Sequence, residues 1–109
     1  MLNQLVLVGR IVRQPELREA ENSKKYSFIT LAVPRSFKNV NGEYDTDFID
    51  CILWDNVAAT TVKYCKKGDI VGVKGRIQSR IVEKETEKKS LIEVIAEKVT
   101  FLSSKKIDE

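Results

Sequence analysis

The feature that most constrains this chain is the alternation of side-chain type along its apolar runs. Between Phe48 and Trp54, Ile49, Cys51 and Leu53 share one parity, while Phe48, Asp50, Ile52 and Trp54 share the other. Successive side chains of a strand point to opposite faces, so this period of two predicts a strand with one buried face. Segment 70–82 repeats the device, with Val71, Val73, Gly75 and Ile77 inward and Lys74, Arg76, Gln78 and Arg80 outward. Its outer face is therefore strongly basic.

Three further strands follow from the same reading. Leu5 to Val12 is rich in β-branched residues and precedes Pro15, with Gly9 placed to allow a bend or bulge. Tyr26 to Val33 sets Ile29, Leu31 and Val33 against Phe28, Thr30 and Ala32, and Pro34 is expected to close it. Ser36 to Asp47, with Asn39 and Asn41-Gly42, has the chemistry of a long hairpin loop. Asp55-Asn56 is expected to cap a short helix through Ala58, Val62 and Cys65, ended by Gly68. The run Glu83 to Lys89 reads as a solvated hairpin tip, Leu91 to Leu102 as the fifth strand, and 103–109 as a short polar tail.

Three strands, a short helix and two strands make an all-β class with one short helix. That is the order of an OB-fold, a five-stranded Greek-key barrel, and the helix position favours it over an SH3-like or other small barrel. The 109 residues suit one domain over 1–102.

Composition narrows the chemistry. The chain has no histidine, so the commonest general base and the middle member of Ser-His-Asp catalysis are missing. Cys51 and Cys65 form no CxxC pair, and Gly72-Val73-Lys74-Gly75 lacks P-loop spacing. The carboxylates sit singly among lysines. These features predict no enzyme, cofactor or metal site. No stretch approaches the roughly 18 apolar residues of a spanning helix, and Met1-Leu2-Asn3-Gln4 does not open a signal peptide, so a cytoplasmic, nucleoid-associated location is expected.

The net charge of +3 decides little, so placement of the cations must. Phe48 and Trp54 lie six residues apart and project from the face opposite the core residues. Phe37 is bracketed by Arg35 and Lys38 in the expected loop, and Lys74, Arg76 and Arg80 form an outward ladder that Arg10 and Arg13 would extend. Rings for bases beside cations for phosphates are what a non-specific single-strand binder requires. Tyr26, Phe28, Phe101 and Tyr64 are assigned to core packing, and Tyr44 is a weaker stacking candidate. A rival reading is an OB-fold protein-interaction subunit, primosomal or scaffold, whose aromatics pack against another chain.

Leu5-Val6-Leu7-Val8-Gly9-Arg10, Pro15-Glu16-Leu17-Arg18, Thr30-Leu31-Ala32-Val33 with Arg35-Ser36-Phe37, Asp47-Phe48-Ile49-Asp50-Cys51 and the run Lys67 to Arg80 together resemble the bacterial single-stranded DNA-binding protein family. The order is kept from Met1 to about Leu102, and the likeness is to the short Gram-positive forms. The resemblance implies a homotetramer that coats single-stranded DNA in replication, recombination and repair, without catalysis. Its stacking aromatics fall on Phe37, Phe48 and Trp54, and a fourth falls on Val82, which offers no ring. Family members often end in an acidic tip that recruits partners. Lys105-Lys106-Ile107-Asp108-Glu109 does not reproduce it, so such recruitment is not expected.

Overall fold

The structure, a computed structural model, describes residues 1–104. Its elements are β1 (Leu5–Ile11), β2 (Arg18–Glu19), β3 (Lys25–Lys38), β4 (Tyr44–Trp54), α1 (Asp55–Tyr64), β5 (Ile70–Lys84) and β6 (Glu87–Ser103). The strands lie in the order β1-β5-β6-β4-β3-β2, and an additional β1–β3 pairing closes the sheet on itself. The result is a five-stranded barrel with the two-residue β2 as an outer ribbon. Its architecture is the OB-fold read from the sequence.

Closure depends on β1 serving two neighbours. Leu5 through Arg10 pair with Gly75 through Ile70 of β5, while Arg10 and Ile11 pair with Ala32 and Leu31 of β3. Gly9 sits where β1 turns between them. A Cβ there would meet the Ala32 carbonyl oxygen at 2.7 Å, so the crossing requires glycine. The one parallel pairing, Cys51 to Leu53 of β4 against Val94 to Ala96 of β6, is reached by the crossover through α1 and β5.

The parity read from the sequence becomes the core. Ile11, Ile29, Leu31, Cys51, Leu53, Val71, Val73, Val94 and Ala96 fill the barrel, and Ala58 and Cys65 join them from α1 and its C-terminal end. Burial, with Asp50 as a lesser cause, pushes the Cys51 thiol up to about 12, so it packs as a small hydrophobe. Helix capping departs from expectation. Trp54 is the N-cap, no side chain caps the helix, and Asp55 itself stands at φ 51°. The helix gives way to extended Cys65, and Gly68, at φ 95°, serves the turn that leads into β5.

Four element boundaries need correction. Pro34 does not end its strand: it pairs with Thr46, and β3 runs on to Lys38 with an irregular register beyond it. That is tolerated because this part of β3 has only β4 beside it. The loop shrinks to a turn in which the Asn39 side chain accepts from the N–H groups of Asn41 and Glu43, with Gly42 at φ 79°. The Glu83 to Lys89 tip is a two-residue turn, since Lys84 pairs with Glu87. Ser103 belongs to β6, and residues 105–109 of the expected tail lie outside the described residues.

Ile77 is also corrected, from core to surface, at 47% exposure. Register shifts between Lys74 and Gly75, and beyond the Ile77–Val94 pair, where β4 no longer flanks β6, the two strands run on as a two-stranded arm that carries Ile81 and Ile92 outward as well. Asn3 fixes the base of this arm, donating to the Ile77 carbonyl at 2.7 Å and accepting its N–H at 2.9 Å. At Gly75 a Cβ would overlap the Ile95 carbonyl. Gly75→Ala is therefore expected to destabilise the chain by about 1–3 kcal/mol in urea unfolding, as overpacking does. An unchanged midpoint would show that the bulge relaxes freely.

Candidate nucleic-acid interface

Register on the outward side of the β3–β4 pair places Tyr26 opposite Trp54, Phe28 opposite Ile52, Thr30 opposite Asp50 and Ala32 opposite Phe48. Directly opposed residues share a face, so these side chains form one surface. Trp54 tilts against Tyr26 with ring centroids 5.5 Å apart, and Tyr26 meets Phe28 at 5.8 Å and 83°. Lys24 lies 5.3 Å over the Trp54 ring. Phe48 stands farther along, 67% exposed.

Two of the sequence assignments move. Phe37 is exposed as expected, but from strand β3 and not from a loop. Of the four rings assigned to the core, Phe28, Phe101 and Tyr64 are exposed and Tyr26 is half-buried. Phe28 thus joins the outward aromatic face, where the sequence reading does not place it. The signal was present, because Phe28 has the parity opposite to buried Ile29 and Leu31.

The basic ladder of β5 does not lie directly beside β4. Strand β6 intervenes, so that Ile52 neighbours Ile95 and Ile95 neighbours Arg76. Carboxylates on β6 engage the ladder: Arg80 Nε lies 2.8 Å from Glu93, and Arg76 Nε lies 3.8 Å from Glu97. Arg80 still borders the aromatic face, lining a groove of about 600 Å³ with Tyr26, Phe28, Ile52, Trp54 and Glu93. Lys74 faces Lys98 and Val6, nearer the β1 wall.

The remaining cations have protein contacts of their own. Arg10 donates to the Gly68 carbonyl at 2.6 Å, and Arg13 donates to Thr30 Oγ1 at 3.3 Å. Lys38 lies over the Tyr44 ring at 5.9 Å. Arg35 is the most committed, since its Nε and Nη2 donate to Asp47 at 2.9–3.2 Å and its Nη1 lies 3.7 Å from Asp45. Val82 is half-buried on the arm, where it shares a small groove with Leu91.

A model of the single-strand binding protein family matches residues 2–102. The chain belongs to that family. It is 44% identical to single-stranded DNA-binding protein B of Bacillus subtilis over 96% of this chain and 94% of that protein. It is 43% identical to single-stranded DNA-binding protein 1 of Lactococcus lactis over 97% of this chain and 71% of that one. Among solved structures it is similar to the wild-type single-stranded DNA-binding protein of Thermus aquaticus, with a TM-score of 0.81 at 28% identity, covering 94% of this chain and 50% of that one. The fold also matches a Plasmodium falciparum family member solved in complex with single-stranded DNA, at TM-score 0.81 and 24% identity, over 94% and 96% of the two chains. Membership bears out the resemblance read from the sequence and the reading of a binding protein without catalysis.

The hydrogen bond from Arg35, reinforced by its charge, holds the Asp47 carboxyl below the usual carboxylate range. A depressed folded value means that the pair stabilises the fold above the unfolded Asp value and loses that contribution as pH falls through the folded one. In a carboxyl NMR titration, Asp47 is expected to titrate lower than ordinary aspartates, and Arg35→Ala is expected to raise it. Unaltered titration in the variant would contradict the pairing.

Proposed function

We propose that this chain binds and protects single-stranded DNA with little sequence preference, as a homotetramer serving replication, recombination or repair in the cytoplasm, around the nucleoid. The observation that carries the reading is Phe48 and Trp54 projecting from one outward strand face, above a filled core and beside Arg80. Rings on that face have no packing duty inside the barrel. Bases stack on them at about 1–3 kcal/mol each, indifferent to sequence because every base has a π-face. Phe37 extends the platform along the β3–β4 arm.

Phosphates ride on Arg10, Arg13, Arg35, Lys38, Lys74, Arg76 and Arg80. Arg35, Arg76 and Arg80 must exchange a carboxylate for a phosphate to do so, and the net gain of each is smaller than that of a free cation. Lys38 and Lys74 form no ion pair among the described residues, so they contribute more directly.

The tetramer is supported by β1. Its second edge pairs with β3 only at Arg10 and Ile11, and its outward Val6 and Val8 are exposed. An open strand edge with apolar flanks favours pairing with another subunit. Among the described residues no helix is long and apolar enough to cross a membrane.

Trp54 is the only tryptophan, so its emission reports this face directly. Oligothymidine at low salt is expected to quench it, and Trp54→Ala or Phe48→Ala is expected to weaken binding by about 1–3 kcal/mol. The logarithm of affinity should fall with that of salt by about 0.7 per phosphate held. Emission that ignores the oligonucleotide overturns stacking and favours a protein-interaction role. Light scattering is expected to give four chains, and a monomer would overturn the assembly alone.

A further inference from the structure

We infer that Phe28 forms an additional base-stacking subsite, whose Asp50 wall favours a base bearing an exocyclic amino group. This rests on the single-strand reading above and extends it to one nucleotide position. Phe28 is 51% exposed in the middle of the β3–β4 face, although the other side of that strand pair is buried in the barrel core. The neighbouring ring of Tyr26, itself set against Trp54, braces it from one side. It is therefore a held ring with open space beside it.

That space lies on more than one side. Phe28 lines the groove of about 600 Å³ towards Trp54 and Arg80 and a second of about 530 Å³ towards Arg13, Arg18 and Asp50. Both volumes fall within the roughly 300–1,000 Å³ of small-ligand sites. A nucleotide running from Trp54 past Phe28 thus enters a groove flanked by Arg13 and Arg18, which can carry its phosphate at the rim.

The carboxylates around this path are not equivalent. Glu16 is held by Arg18 at 3.2 Å and Glu93 by Arg80 at 2.8 Å. Asp50 has no ion-pair partner among the described residues. The Thr30 hydroxyl donates to its Oδ1 at 2.6 Å, and the Arg13 guanidinium donates to that hydroxyl, so the carboxylate is oriented while Oδ2 takes no hydrogen bond among the described residues. Asp50 is the diagonal neighbour of Phe28, about 7–8 Å away across the strand pair, within reach of the edge of a stacked base. A carboxylate accepts from the amino group of cytosine or adenine and opposes the carbonyl edge of thymine.

The test compares oligocytidine and oligothymidine of equal length by Trp54 quenching at one neutral pH and salt. Phe28→Leu, a surface change checked by its melting temperature, is expected to weaken both by about tenfold, whereas Asp50→Asn is expected to shift the cytidine-to-thymidine affinity ratio by about fivefold towards thymidine. A second variant places the only tryptophan at the site: Phe28→Trp in a Trp54→Phe background should retain binding and be quenched. Wild-type affinity in Phe28→Leu, or an unquenched ring in the second variant, overturns the platform. An unchanged ratio in Asp50→Asn overturns the selectivity. If neither oligonucleotide affects wild-type Trp54, the underlying single-strand reading fails instead.

Discussion

The closure of the barrel by β1 is the constraint on which the rest of the structure depends. By leaving β5 at Arg10 and taking up β3 at the same residue, β1 turns an open sheet into a barrel with a defined inside. Hydrogen bonds from the Ile11 and Val12 N–H groups to the Asp69 and Thr30 carbonyls, at 2.9 and 3.0 Å, hold the crossing. Once an inside exists, strand parity distributes everything else. Leu31, Cys51 and Leu53 go in, and Phe28, Phe48 and Trp54 are left out. The outward aromatic face is thus a by-product of closure, backed by the filled core.

Much of this was legible in one dimension. Alternation at 48–54 gave both the core residues and the outward rings, because parity is a local property of a strand. Strand order is not local. Nothing in the alternation of Lys74, Arg76 and Arg80 says that β6, with Glu93 and Glu97, will lie between that ladder and β4. Pro34 illustrates a different loss: it lacks the N–H of a ladder, yet continues β3 because no second neighbour claims that edge. Phe28 was misplaced by residue type overruling parity, since an aromatic within a strand is ordinarily core.

Electrostatics then shape how the site works. A net charge of +3 is small for a protein that handles a polyanion, and several of the site's arginines are already engaged with carboxylates. In the proposed binding mode such pairs reduce what each arginine gains from a phosphate, which leaves more of the affinity to the rings.

The most direct measurement is ultraviolet cross-linking of oligothymidine to the folded protein, with the attached peptides located by mass spectrometry. The expected cross-links fall on residues 26–54, above all at Phe48 and Trp54 on the outward face of β3 and β4. Cross-links confined to α1 or to the outer side of β1, with none on that face, would contradict the account.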